Sequence, residues 1–205
     1  MTGPARGLAF TGGGTPGYVL GLSERAVQNA LSDHLKPGGV FFDVGAHAGF
    51  LSVLACRLVG TGGQVHSFEP APESVTMLRR NLDANGFTNA TIHEVALADR
   101  DGTAGMSHTK HAITARLADD GDFTVPLARA DSLGLPAPTV VKIDVEGAEC
   151  LVLEGMTEQL SSSHPVVIVE IHAGNRERVR ARLTALGYAV TQLDDDGGMP
   201  HLIAT

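Results

Sequence analysis

The sequence predicts a doubly wound α/β domain: a mostly parallel sheet with helices on both faces and an antiparallel strand at one edge. Three observations predict it. The apolar run Val40-Phe41-Phe42-Asp43-Val44 enters a glycine-rich turn and then a helical pattern, as a buried parallel strand does before its crossover. Strand and helix patterns then alternate along most of the chain. The last two apolar runs are joined by Asp194-Asp195-Asp196-Gly197-Gly198, a hairpin signal that turns one strand antiparallel.

Each element has a local reason. The first 21 residues hold seven glycines and no periodicity, so a flexible leader, or a segment that closes over a ligand, is expected there. Residues 22–205 are expected to form one domain. Ser23 suits the N-cap of a helix over Ser23–Leu35, which Pro37-Gly38-Gly39 stops. After strand one, Leu51, Leu54, Ala55 and Leu58 fall at i, i+3, i+4 and i+7 of a helix over Phe50–Val59. Strand two covers Gln64–Glu69, and the next helix starts near Pro72 and ends at Gly86. Ala90–Ala96 reads as strand three. Between about 102 and 130 the helical rhythm fails, and Thr103–Ser107 with Phe123–Leu127 read as an added hairpin around a polar loop. Strand four is Thr139–Ile143, followed by a helix from Ala148 that Gly155 interrupts. Strand five is Val166–Ile171, then a helix from Asn175 to Leu186, then strands Tyr188–Leu193 and Met199–Ala204.

Composition narrows the function. At 205 residues, 43% hydrophobic and 19% charged, the chain can bury a core without disulfide or metal staples. A net charge of −8 and a pI near 5.5 argue against nucleic acid or an anionic membrane as partner. Cys56 and Cys150 fall in apolar helical patterns and read as buried free thiols. Without an export leader or a long apolar run, a cytoplasmic location is expected.

The turn after strand one discriminates between ligands. Glu69 stands 24 positions after Gly45, where the second strand of a βαβ unit offers a carboxylate to a nucleotide ribose. A dinucleotide site needs glycine at positions 47 and 50 as well, the first of them to clear the pyrophosphate. His47 and Phe50 stand there instead. The pattern is Asp43-x-Gly45-x-x-x-Gly49, and an acid closing the strand attracts a cationic ligand and repels a pyrophosphate. S-adenosylmethionine, with an ammonium tail, a ribose and no phosphate, fits that description.

A second signature, Lys142-Ile143-Asp144-Val145-Glu146-Gly147-Ala148-Glu149, closes strand four with charge. Lys142 inside an apolar strand needs a partner or must snorkel. Asp144 emerges beside strand one, at the edge where open α/β sheets bind ligands. Glu170 and His172 reach the same edge from strand five.

With these two signatures, Phe68-Glu69-Pro70 and Ala96-Leu97-Ala98-Asp99, the chain resembles the FkbM-type branch of the class I S-adenosylmethionine-dependent methyltransferases. The resemblance implies a Rossmann-like, seven-stranded sheet with an antiparallel last strand. It also implies S-adenosylmethionine as cofactor and methyl transfer, usually to a hydroxyl of a sugar or natural-product scaffold. Asp43, Gly45 and Gly49 would then line the methionine end and Glu69 would hold the ribose, with Ala46, His47, Pro70, Ala96, Leu97 and Asp144 completing the cofactor site. Two positions depart from the family pattern. His47 stands where asparagine is common, and the end of strand three carries no acid for the adenine amine, which leaves backbone groups or Asp99.

An alcohol is a poor nucleophile until a base takes its proton. His172 is the expected base, since an unperturbed imidazole has a pKa of about 6.5, with Asp144 or Glu170 orienting it. Tyr18, His108, His111, Arg116 and Glu146 are the candidate contacts to a small-molecule acceptor. Magnesium held by Asp144 and Glu170 is a rival account of the carboxylates; no metal is predicted, and no Cys/His spacing suits zinc. N-methyl transfer and a non-catalytic nucleoside- or NAD-binding module are the alternative functions, and self-association into a homo-oligomer stays open.

Overall fold

The structure, a computed structural model, describes residues 3–12, 24–108, 115–117, 121–172, 174–193 and 200–205, and the backbone alone at 108 and 115–117. In chain order the elements are α1 (Arg25–His34), β1 (Val40–Val44), α2 (Phe50–Val59), β2 (Gln64–Phe68), α3 (Pro72–Ala84), β3 (Ala90–His93), β4 (Ala96–Leu97) and β5 (Gly102–His108). They continue as β6 (Ala115–Leu117), β7 (Phe123–Ala128), β8 (Val140–Ile143), α4 (Glu149–Gly155), α5 (Thr157–Ser163), β9 (Val166–Glu170), α6 (Arg176–Ala185), β10 (Val190–Leu193) and β11 (His201–Ala204).

Seven strands form the main sheet in the order β10-β11-β9-β8-β1-β2-β3. β11 runs antiparallel to both of its neighbours, and the other pairs are parallel. The chain winds outward from β1 through β2 to β3, then returns to β8 on the other side of β1. The order therefore reverses between β1 and β8, where a crevice opens beyond the carboxyl ends.

Alternation of side chains splits the core into two layers. Phe42, Val44, Val141, Ile143, Val167 and Val169 pack toward Leu153, Val179 and Leu183 of α4 and α6. Phe41, Val140 and Ile168 pack toward Leu31 of α1 and Leu54 of α2. Both faces of the central strands are covered, which is why they read as apolar runs without alternation.

Three elements differ from the sequence reading. Strand three stops at His93: the Val95 N–H donates to the His93 carbonyl at 2.9 Å, a tight three-residue turn. Ala96 and Leu97 then leave the main sheet and pair with Leu127 and Ala128 of β7. The pairing of β5 with β7 is one part of a separate four-stranded sheet, β4-β7-β5-β6. α1 starts at Arg25 behind Glu24, whose φ is 52°; Ser23 lies outside the described residues. Of the glycine-rich leader, residues 3–12 pack on the domain, with Ala5 and Leu8 buried.

Candidate active site

A polar row crosses the sheet at the crevice. Ser67, Asp43 and Lys142 stand in register on β2, β1 and β8. Ser52, one turn into α2, donates its hydroxyl to Asp43 Oδ2 at 2.5 Å and shares a 2.7 Å hydrogen bond with the Ser67 hydroxyl. Burial pushes the Asp43 carboxyl up to about 6, against the pull of Ser52 and Lys142; Glu24 and Asp144 add to the rise. Lys142 is buried, and its Nζ lies 3.5 Å from Asp144 Oδ2 and 3.8 Å from Glu170 Oε2. Burial works against its ammonium, but Asp144, Glu24, Glu170 and Asp43 together outweigh it and hold the charge.

The turn below the crevice is shaped by its glycines. Gly45 has φ 83°, and a Cβ there would run into the Asp144 carbonyl, so only glycine lets the two strand exits approach. Gly49 has φ 80°, and its Cβ would strike Leu78 of α3. Between them His47 has φ 47°, a left-handed conformation that histidine and asparagine tolerate better than most residues. The His47 N–H donates to Glu69 Oε2 at 2.8 Å, and the Ala71 N–H to Oε1 at 2.9 Å. Burial raises the Glu69 carboxyl to about 7 against those two bonds. Each oxygen still has a lone pair for a ligand hydroxyl.

The cleft above this turn is lined by Phe10, Gly12, Glu24, Asp43, Gly45, Ala46, His47, Ala48, Phe50, Leu51, Asn81, Lys142 and Asp144. Three acids face one lysine there, so its charge suits a cationic ligand. Asp43, Gly45, Ala46, His47 and Asp144 are brought together as the sequence suggested. Gly49 and Glu69 brace the turn, and Pro70 follows half-buried. Ala96 and Leu97 are not among the residues lining this cleft; they form a strand of the small sheet, with Leu97 buried in the core. Tyr18 and His111 lie outside the described residues, while His108 and Arg116 sit on adjoining strands β5 and β6. Phe10, Gly12, Glu24 and Asn81 were not anticipated. Asn81 did carry a signal, a polar residue buried on the apolar side of α3 between Leu78 and Leu82.

His172 occupies the far corner. Its Nδ1 lies 3.1 Å from Glu149 Oε1, and its Nε2 lies 3.3 Å from Glu170 Oε1 and 3.8 Å from both Asp144 Oδ1 and Glu146 Oε2. Glu149 is fully buried and also accepts from Asn175 Nδ2 at 2.7 Å and the Gly147 N–H at 3.0 Å. The hydrogen bonds to Glu149 and Glu170 raise the imidazole to about 10. Four carboxylates around the ring favour its protonated form, so these surroundings speak against the neutral base that the sequence suggested. Burial would raise Glu170, but His172, His201 and Lys142 outweigh it and hold that carboxyl well below the usual range. Asp144, Glu170 and His172 place ligand atoms within 4.8 Å of one another. Lys142 and the His172 ring, whose protonated form these acids favour, share that spot.

An acid-lined cleft at the switch point of a sheet whose last strand runs backwards is the architecture of a class I methyltransferase, with S-adenosylmethionine as cofactor. The chain belongs to the FkbM family: the model of the methyltransferase FkbM domain matches residues 43–190. It is 32% identical over 182 residues to the hexuronic acid methyltransferase AglP of Haloferax volcanii, covering 84% of this chain and 74% of that one. It is 27% identical over 201 residues to the 31-O-demethyl-FK506 methyltransferase FkbM of Streptomyces tacrolimicus, covering 78% and 76%. The crystal structure of methyltransferase FkbM from Methylobacillus flagellatus superposes with a TM-score of 0.62 at 17% identity, over 94% of this chain. The chain spans 56% of that protein's length. No described helix is long and apolar enough to cross a membrane.

Proposed function

We propose that this methyltransferase acts on a hydroxyl oxygen of a small molecule, a sugar or a natural-product scaffold. The observation that carries the reading is a cation in an otherwise acidic cleft, Lys142 held between Asp144 and Glu170. Asp43, Gly45 and His47 are assigned to the methionine end of the cofactor, and Glu69 to its ribose hydroxyls. When bound, the cofactor supplies an electrophilic methyl group, and alignment of the acceptor oxygen with it supplies much of the acceleration.

The chain's own residues then manage one proton. Asp144 lines the cleft, is partly exposed, and faces Lys142 and His172. Its carboxylate takes the acceptor's proton as the oxygen attacks. The two fixed cations behind it stabilise the negative charge that builds on that oxygen. The names of two relatives, one for a hexuronic acid and one for an O-demethyl compound, support a sugar or natural-product acceptor.

Titration calorimetry with S-adenosylhomocysteine and with NAD tests the donor, and labelled-methyl transfer to paired alcohols and amines tests the acceptor. Binding of S-adenosylhomocysteine without NAD, and label in alcohols, are expected. Binding of NAD alone removes the methyl-transfer reading, and label in amines only removes the hydroxyl assignment.

A further inference from the structure

Residues 9–12 reach the cleft from outside the span of the family match, which begins at residue 43. Two asparagines one helical turn apart grip them. Asn85 bonds Ala9 twice, its Oδ1 accepting the Ala9 N–H and its Nδ2 donating to the Ala9 carbonyl, each at 2.8 Å. Asn81 Oδ1 accepts the Thr11 N–H at 2.8 Å and the Thr11 hydroxyl at 3.0 Å. Its Nδ2 donates to the Gly12 carbonyl at 3.2 Å and to the Ala48 carbonyl at 2.8 Å. Asn81 thus ties three pieces together: α3, the turn before α2, and the leader.

The grip falls on Ala9 and Thr11, two residues apart, and reaches the Gly12 carbonyl as well. Phe10 lies between, its ring centroid 5.1 Å from that of Phe50, the first residue of α2. Phe10, Gly12, Phe50 and Asn81 all line the cleft. A segment whose backbone bonds go to Asn81 of α3 and Asn85 at its C-cap, and which turns one aromatic ring to the cleft, is built to cover something.

We propose that residues 9–12 form a strap across the donor end of the cleft, with Phe10 packing on the bound S-adenosylmethionine and Asn81 and Asn85 as positioning residues. The inference rests on the methyl-transfer reading. An aromatic cover excludes water from the donor, and the strap must release before the spent cofactor leaves. Its contribution therefore falls on the dissociation rate, where most affinity differences between related complexes arise.

The experiment measures S-adenosylhomocysteine dissociation by stopped flow for the full chain, Phe10→Ala and Asn85→Ala, with backbone hydrogen exchange over residues 9–12. Asn85 does not line the cleft, so its replacement loosens the strap without touching the ligand. Both variants are expected to release the ligand about fivefold to tenfold faster with association little changed. In the full chain, ligand should slow exchange at Ala9 and Thr11, a readout that mere packing of Phe10 on Phe50 would not move. A wild-type chain that binds no S-adenosylhomocysteine overturns the methyl-transfer reading and the strap with it. Wild-type binding with unaltered dissociation in both variants and no ligand-dependent exchange overturns the strap alone.

Discussion

Glu69 braces the turn and is proposed to hold the ribose, and replacing it separates the two. Glu69→Ala would leave the N–H groups of His47 and Ala71 without their acceptors, and a buried donor so orphaned costs about 1–3 kcal/mol. Loss of binding in that variant would therefore mix ligand contact with collapse of the turn. Glu69→Gln keeps one acceptor oxygen and the volume. Its affinity for S-adenosylhomocysteine is expected to drop about tenfold, or about 1.4 kcal/mol, with a smaller loss of melting temperature than Glu69→Ala. Calorimetry on Glu69→Gln showing wild-type affinity would withdraw Glu69 from the ribose. Lys142 raises the complementary case. Lys142→Met removes the buried cation from Asp144 and Glu170, and breaking a buried pair from one side costs about 3–5 kcal/mol. Urea unfolding should report a loss of that order, and a loss below about 1 kcal/mol would mean the acids do not depend on it.

Among the elements, α4 ends where it does for two reasons, of which local sequence carries one. Gly155 is a poor helix residue, and it also lies against Ala98, the residue after β4: a Cβ would run into the Ala98 carbonyl oxygen. Gly155→Ala is expected to push that loop away at a cost of about 1–3 kcal/mol, despite the better helix propensity of alanine. At about 2–4 °C per kcal/mol for a domain of this size, a thermal melt resolves it; an unchanged or higher melting temperature would count against the contact. What could be read locally follows the same division. The Gly45–Gly49 turn, the α2 stripe of Leu51, Leu54 and Leu58, and the closing hairpin strands declare themselves through spacing and residue type. The break in strand three does not, because Ala96 and Leu97 suit either sheet, and only a partner at Leu127 decides between them. The charge of His172 depends on Glu149, 23 residues upstream. The placing of the leader depends on Asn81 and Asn85, about 70 residues downstream. Local pattern finds elements and the glycine turn at the cleft, while long-range partners set the surroundings of His172 and the place of the leader.

For the whole molecule, these charges make stability and binding depend on pH in opposite senses. Asp43, Glu69 and His172 all have folded pKa values above their ordinary ones, at about 6, 7 and 10. Each group binds its proton more tightly when folded, so its contribution to stability is fully present below the unfolded pKa and is lost as pH rises through the folded one. For His172 that window runs from about 6.5 upward to about 10. The melting temperature should therefore fall between pH 7 and 10, and His172→Gln should flatten that slope; an equal slope in the variant would place the effect elsewhere. The donor reverses the preference at Asp43 and Glu69. The donor's positive charge favours the ionised form of Asp43, and ribose hydroxyls donating to Glu69 favour its carboxylate, so binding is expected to pull both carboxyls down and expel protons that the free site holds. Affinity for S-adenosylmethionine should rise as pH increases through about 6 to 7, and near pH 6 binding should release protons. Calorimetry in two buffers of different ionisation enthalpy reads the number and sign directly. Proton uptake, or a heat independent of buffer, would mean that the donor engages neither Asp43 nor Glu69 as proposed.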